Sequence, residues 1–313
     1  MAQLRSSVGR DDTVSKCQDA RIAACGASHA YKAPPMSTHA PSADPTPRHP
    51  AAPAATRPIT IITGAGSGVG AATARLLAAR GHGVLVHYHR SEAAALEVVR
   101  ACIEAGTDAI AVSGDVGDDA VCRKLADCAI ERWGRIDGLV NCAAMTRFVP
   151  LSELERVDAQ EFIDLYRVNA IGPFQMARAV APHMQEGASI VCVSSIAGQL
   201  GSGSSFPYVL SKGALNALTL GLARTLAPKI RVNAVLPGMI NGRWMREGIG
   251  DDAFARVSAQ FAAHALTGRI CSNEEIAAAV AWLLDPACMM TGQLMVVDGG
   301  FSLGRPPPSA GAR

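Results

Sequence analysis

Tyr208 and Lys212 stand four residues apart in YVLSK, inside a stretch with helical period, so one helix face carries both. A tyrosine hydroxyl ordinarily titrates near ~10. An ammonium beside it favours the phenolate and is expected to lower that value, so that the group can give or take a proton near neutral pH. Thirteen residues upstream, Ser195 closes the apolar run SIVCVSS. Its hydroxyl could hydrogen-bond a carbonyl oxygen and steady the charge that develops there. Ser194 competes for this role. Serines at strand ends commonly form turns and an isolated YxxxK is often accidental, so the set carries more weight than any member.

These residues need a scaffold, and the apolar pattern supplies one. Short apolar runs alternate with alanine-rich helical stretches from Pro58 onward. Strands are expected at Ile59–Thr63, Gly83–Tyr88, Ala109–Asp115, Ile136–Cys142, Ala188–Ser195, Ile230–Gly238 and Gln293–Gly300. Helices are expected through Leu77, over Ser91–Glu104, Asp118–Trp133, Asp158–Met184 and Pro207–Leu226, and from a cap at Asn273 through Leu284. The strands lack in-out polarity, which indicates a parallel sheet buried on both faces. The expected fold is α/β: a Rossmann-type doubly wound parallel sheet of about seven strands, helices on both faces, in a single domain over residues 58–303.

Between the first strand and first helix lies TGAGSGVG, Thr63–Gly70. Glycines there permit a tight turn and close backbone approach, and helix N-terminal amides bind a pyrophosphate. No Gly-Lys-Ser/Thr follows, which excludes a P-loop. The spacing is TGxxxGxG, and further motifs follow in order: NCAA (Asn141–Ala144), Asn169 in YRVNAIG, YVLSK, the Pro237-Gly238 pair and VDGG. Together they resemble the short-chain dehydrogenase/reductase superfamily over about Pro58–Leu303. The rest of the pattern is similar to 3-oxoacyl-carrier-protein reductases, and HYHRS (His87–Ser91) resembles a stretch of pteridine reductases.

The resemblance implies Ser195, Tyr208, Lys212 and Asn169 as the catalytic set, with Asn169 holding a water that connects Lys212 to solvent. It implies a dinucleotide on Gly64, Ser67, Gly68, Val69 and Gly70, on Tyr88, His89, Arg90 and Ser91, and on Asp115 and Val116 beside the adenine. Asn141, Ala143, Tyr208, Lys212, Pro237, Gly238 and Ile240 complete the cofactor set. The end of the second strand selects between the cofactors: an acid favours NAD and a base accommodates the 2′-phosphate of NADP. Tyr88 takes the acid's place, and Arg90 and Ser91 follow with a guanidinium fork and a hydroxyl. NADP(H) is the expected cofactor, although a single arginine leaves room for NAD(H). Two other readings of the cluster are a solvated strand end and a metal site on His82, His87 and His89, which no nearby acid or cysteine completes. Asp115 is equally suited to a turn or helix cap. The family often carries Thr five residues after the proline, where Gly242 stands, with Asn241 a substitute; NCAA ends in Ala144 in place of Gly.

The expected activity is NADP(H)-dependent hydride transfer to or from a carbonyl/alcohol substrate. Two alternatives stand beside it: a pterin or dihydropterin reductase, with Phe148 stacking the pterin, and a non-catalytic nucleotide-sensing protein of the same fold. Ser195 argues against the first, since pteridine reductases place Asp there, and the intact catalytic set against the second. Trp244, Met245 and Met239 could line an apolar pocket or simply pack the lid.

Bulk properties bound the partners. A formal charge of +2 and 4% aromatic residues give no reason to expect nucleic acid. No apolar run is long enough to span a membrane. Nine cysteines without CxxC, several in apolar runs, indicate free thiols in a reducing, cytoplasmic setting. Residues 1–57 are Pro/Ala-rich and expected to be disordered, with Met36 a candidate start; four aspartates there count against a transit peptide, and residues 304–313 are expected to form a loose tail. The resemblance implies a homo-oligomer, tetramer or dimer.

Overall fold

The computed structural model describes residues 57–304. The expected N-terminal extension up to residue 56, Met36 included, and the tail from residue 305 lie outside the described residues.

β1 (Ile59–Thr63), α1 (Gly68–Ala79), β2 (Gly83–Tyr88), α2 (Glu92–Glu104), β3 (Ala109–Ser113), α3 (Asp119–Trp133) and β4 (Ile136–Asn141) alternate strictly. Then follow α4 (Ala159–Tyr166), α5 (Gly172–Val180), β5 (Met184–Val193), the short α6 (Ala197–Leu200), α7 (Phe206–Leu226), β6 (Ile230–Pro237), α8 (Arg243–Ile249), α9 (Asp251–His264), α10 (Asn273–Leu284) and β7 (Leu294–Val297). The seven strands form one sheet in the order β3-β2-β1-β4-β5-β6-β7, every pair parallel. Strand order reverses between β1 and β4, which opens a crevice at their C-terminal ends.

Alternate side chains of each strand enter different cores, which is why the runs are apolar throughout. Ile61, Leu85 and Leu139 join Leu125 of α3, Met176 of α5 and Leu215 of α7 on one face. Ile62, Val84, Val86 and Val140 join Leu77 of α1, Val98 of α2 and Ile276 of α10 on the other. Full burial of each such side chain contributes about 1.5–3 kcal/mol.

Local signals set most helix ends. Asp118 and Asp158 cap α3 and α4 through the amides of Ala120 and Glu161, and Gly134 ends α3 at φ +71°. β3, β5 and β7 end at Ser113, Val193 and Val297, before the expected Asp115, Ser195 and Gly300, and two helices also differ from expectation. Ser272, not Asn273, caps α10, in a capping box with Glu275; Asn273 is the first helical residue. The expected helix over 158–184 is interrupted by a π-helical turn at Arg167–Ile171 and a 3₁₀ turn at Ala181–His183. Pro173 and Pro182 explain both: neither has an amide hydrogen to continue the ladder. Met184 then opens β5, beside Ile136.

Candidate active site

The glycine loop is tied to its neighbours through backbone. Thr63 Oγ1 accepts from the amides of Cys142 (3.0 Å) and Ala143 (3.1 Å), joining the end of β1 to the residues after β4. Gly64 (φ +66°) leaves no room for a side chain: a Cβ would lie 2.7 Å from Ala143 Cα. At Gly70 a Cβ would meet the Gly64 carbonyl oxygen at 2.5 Å, so α1 can start this close to its loop only with glycine there. Gly68 has φ +56° and is exposed with Ser67, while Val69 is buried. Ser67 makes no side-chain cap bond and the first turn of α1 holds no acid. That donor set suits an anionic pyrophosphate.

At the end of β2 the five residues of HYHRS divide. His87 is 1% exposed. Its Nδ1 accepts from the Gly64 amide at 3.2 Å, which fixes the hydrogen on Nε2, 3.0 Å from the Gly114 carbonyl it donates to. Burial lowers its pKa to about 4, with the Gly114 bond opposing. The imidazole is a neutral brace between the β1 loop and the end of β3. His82 instead meets Thr60 Oγ1 at 3.0 Å. Tyr88 is half-buried, and His89, Arg90 and Ser91 are exposed. Arg90 has no ion-pair partner among the described residues. The Ser91 carbonyl passes within 3.5 Å of where a Gly66 Cβ would stand, so this strand end adjoins the glycine loop.

Asp115 accepts from the Gly117 amide (2.9 Å) and the Arg167 guanidinium (2.8 Å). Burial pushes its carboxyl up, but these donors outweigh it and hold it below the usual range. A Cβ at Gly117 would collide with Arg167, so the glycine makes room for the pair. The buried Val116 presents its carbonyl to Gln175 at 3.1 Å. Asn141 is buried and its Nδ2 approaches the Pro173 carbonyl at 3.4 Å; its Oδ1 has no partner among the described residues.

Ser194, Ser195, Tyr208 and Lys212 converge between β5 and α7. Ser194 lies 2.6 Å from Asn216 Oδ1 and 3.2 Å from the Lys212 carbonyl, which commits it to structure. Ser195, half-buried, stands just past β5, and its Oγ accepts from the Ala197 amide at 3.1 Å. Ser205 caps α7 by accepting from the Tyr208 amide at 3.3 Å, which sets the tyrosine in the first turn. Lys212 is 2% exposed; its Nζ donates to the Val193 carbonyl at 2.9 Å and lies 5.7 Å from the Tyr208 ring centre. The expected lowering of the tyrosine pKa is overturned. Burial pushes Tyr208 up to about 12, Ser195 pulling back and the Cys142 thiol pushing further. Burial also lowers Lys212 to about 8. The ammonium is aimed at a carbonyl and not at the phenol, so desolvation wins over attraction.

Asn169 is fully buried. Its side chain accepts from the Met145 amide (2.8 Å) and can donate to the Met145 carbonyl and to Ser211, both at 2.9 Å. It clamps the loop after β4 to the π-helical turn. Pro173, four residues on, has no amide to offer the Asn169 main-chain carbonyl.

Pro237 ends β6, and its carbonyl accepts from Ile196. A Cβ at Gly238 would press on Asp298 and Phe261 at 2.8 Å. Ile240 bridges to Cys271. Asn241 accepts from Arg246 at 3.0 Å, and Met239 is buried. Trp244 of α8 lies edge-on to Tyr208, and Phe148 packs on Gly248. Sequence reasoning missed three residues that hold this arrangement. Thr63 and Arg167 left no distinctive signal. His87 did: a histidine in a strand buried on both faces needs a partner for each ring nitrogen.

A family profile described as enoyl-(acyl carrier protein) reductase matches residues 64–302. A Streptomyces violaceoruber protein, described as a candidate ketoacyl reductase of the granaticin polyketide synthase, is 38% identical over 248 residues, 79% of this chain and 96% of that protein. A 3-oxoacyl-[acyl-carrier-protein] reductase of Synechocystis is 36% identical over 253 residues, 79% of this chain and 98% of that protein. The crystal structure of a candidate short-chain dehydrogenase/reductase from Burkholderia xenovorans superposes with a TM-score of 0.74 at 40% identity, covering 80% of this chain and 99% of that one.

Proposed function

Because the chain belongs to the short-chain dehydrogenase/reductase family, we propose that it is an NADP(H)-dependent oxidoreductase acting on a carbonyl/alcohol pair, with Tyr208 as general acid/base. When bound, the nicotinamide supplies or accepts the hydride. The chain's own residues do the rest. The uncapped start of α1, with Ser67 and Val69, receives the pyrophosphate between Gly64, Gly68 and Gly70. Arg90 and Ser91, with His89 and Tyr88 beside them, receive the 2′-phosphate. Asp115 and Val116 border the adenine, and Asn141, Ala143, Pro237, Gly238 and Ile240 border the nicotinamide end.

Ser195 donates to the substrate oxygen and Tyr208 hands that oxygen a proton as the carbonyl carbon takes up hydride. A hydroxyl held up at about 12 stays protonated at neutral pH, the form reduction requires. Lys212 relays a solvent proton back to Tyr208 after the transfer. Asn169 holds the water that connects Lys212 to solvent. The exposed apolar residues Ile163, Tyr166 and Phe174 of α4 and α5 suit a homo-oligomer contact.

The observation that carries this reading is the convergence of half-buried Ser195, just past β5, with Tyr208 and buried Lys212 of α7 at the C-terminal edge of the sheet, the Lys212 ammonium 5.7 Å from the Tyr208 ring centre. The test is ketone-dependent NADPH consumption by the wild type and Tyr208→Phe. Loss of the general acid should cut the rate by about 10²–10⁴-fold. A variant as fast as the wild type would remove Tyr208 from the chemistry.

A further inference from the structure

Two aromatic rings from separate elements lie along α8: Trp244 against Tyr208, and Phe148 one turn further on, against Gly248. Trp244 sits edge-on to Tyr208, ring centres 6.2 Å apart at 61°. Although it makes this contact, the indole is 49% exposed. Gly248 lies four residues further along α8, on the same helix face one turn away. A Cβ there would fall 1.9 Å from Phe148 Cε2, so the Phe148 ring lies directly on the helix backbone. The segment carrying Phe148 is fixed from behind. The Val149 amide donates to the Ser204 carbonyl at 2.8 Å, and the Thr146 and Ser204 hydroxyls are 2.5 Å apart. Phe148 is therefore anchored to the segment that leads into α7 and Tyr208.

The arginines of α8 turn to other partners. Arg243 pairs with Glu247 at 3.2 Å. Arg246 covers the Phe254 ring at 4.0 Å and bonds Asn241. The wall beside Tyr208 thus offers ring faces and edges, not cations.

We propose that Trp244 and Phe148 form an aromatic slot that selects a flat ring next to the reacting carbonyl, so that the substrate class is an aryl ketone. This rests on the carbonyl-reductase reading of Tyr208. Offset and edge-to-face contacts favour an aromatic guest over a saturated one of similar size. Reduction is balanced as above: hydride to the ketone carbon, the Tyr208 proton to its oxygen, NADPH oxidised and the ketone converted to a secondary alcohol.

The experiment compares 1-tetralone with cyclohexanone, which differ by a fused benzene ring, using NADPH and wild type, Trp244→Leu and Phe148→Leu. The wild type should favour tetralone in kcat/KM. Each substitution should lower the tetralone/cyclohexanone ratio, by about tenfold at most for one lost aromatic contact. Tetralone should also quench tryptophan fluorescence in the wild type, with the quench reduced in Trp244→Leu. Circular dichroism confirms that the variants fold, and Gly248→Ala, which displaces Phe148 without deleting a ring, should shift the same ratio. A ratio unchanged in all three variants would overturn the proposal and leave Trp244 as lid packing. Turnover of dihydrobiopterin with none of tetralone would overturn it as well. Reduction of cyclohexanone without tetralone preference defeats the slot alone, whereas NADPH binding with no ketone reduced defeats the reductase reading too.

Discussion

His87 braces the glycine loop and Trp244 stands on α8 against Tyr208, and the two are held in opposite ways. His87 is 1% exposed, with both ring nitrogens bonded to backbone of neighbouring elements. Trp244 is 49% exposed and meets its neighbour ring to ring. The same contrast extends outward. Around His87 lie Thr63 bonds to two amides and glycines with no space for a Cβ. Around Trp244 lie surface ion pairs and one cation over a ring. Backbone-to-backbone fit admits one geometry, and so one kind of guest. Side-chain contacts at an exposed helix can be exchanged for others, and there substrate choice can vary on a constant frame.

Predictions follow this contrast from its stiff side to its soft side. The largest concerns His87 and pH. Below pH 6.5 the unfolded chain takes a proton that the folded chain refuses until about pH 4. The folded state thus binds fewer protons across that window, so stability is full above pH 6.5 and declines as pH falls to about 4. The loss approaches ~3 kcal/mol. Denaturant unfolding across this range should show the decline, and His87→Gln should reduce its size, the remainder coming from buried His82, lowered by burial, and from the depressed carboxyls of Asp108, Asp115 and Glu275. A wild-type profile that is level from pH 7 to 4 would mean the imidazole accepts charge in the fold.

Gly70→Ala should come next. Its Cβ would meet backbone and not a flexible side chain, at a cost of about 1–3 kcal/mol. NADPH affinity should fall with stability, since α1 must move off its loop; isothermal titration measures this. Arg90→Ala should weaken NADPH by about tenfold, the worth of a charge-assisted hydrogen bond, with a smaller effect on NADH. The smallest effect belongs to the lid. Arg246→Ala removes an exposed ion pair and a cation over Phe254, so thermal unfolding should register less than about 1 kcal/mol.

The parts of this molecule readable from sequence are those where one physical demand fixes one residue type. The strands at Ile59–Thr63 and Gly83–Tyr88 are apolar because both faces are covered, and the pattern states it. Gly64 and Gly70 are legible because nothing larger fits. The Tyr208–Lys212 spacing is legible because a helix turn sets it. Other features depend on neighbours that sequence order does not reveal. Ser272 and Asn273 are both good caps, and only the capping box with Glu275 decides between them. The direction of the Tyr208 shift depends on where the Lys212 ammonium points, which is toward Val193. Arg167 reaches Asp115 across 52 residues of chain. HYHRS looked like one polar cluster, yet it holds a buried brace at His87 and exposed donors from His89 to Ser91. Strand alternation separates the two only once burial of both faces is known.

The central claim is that the exposed donors beyond that brace receive a 2′-phosphate. Its most direct test is fluorescence titration of the protein with NADPH and with NADH under one buffer and salt. The account predicts NADPH tighter by about tenfold or more, the preference shrinking as salt rises. Equal affinities, or tighter NADH, would contradict it and leave Arg90 and Ser91 as the solvated end of a strand.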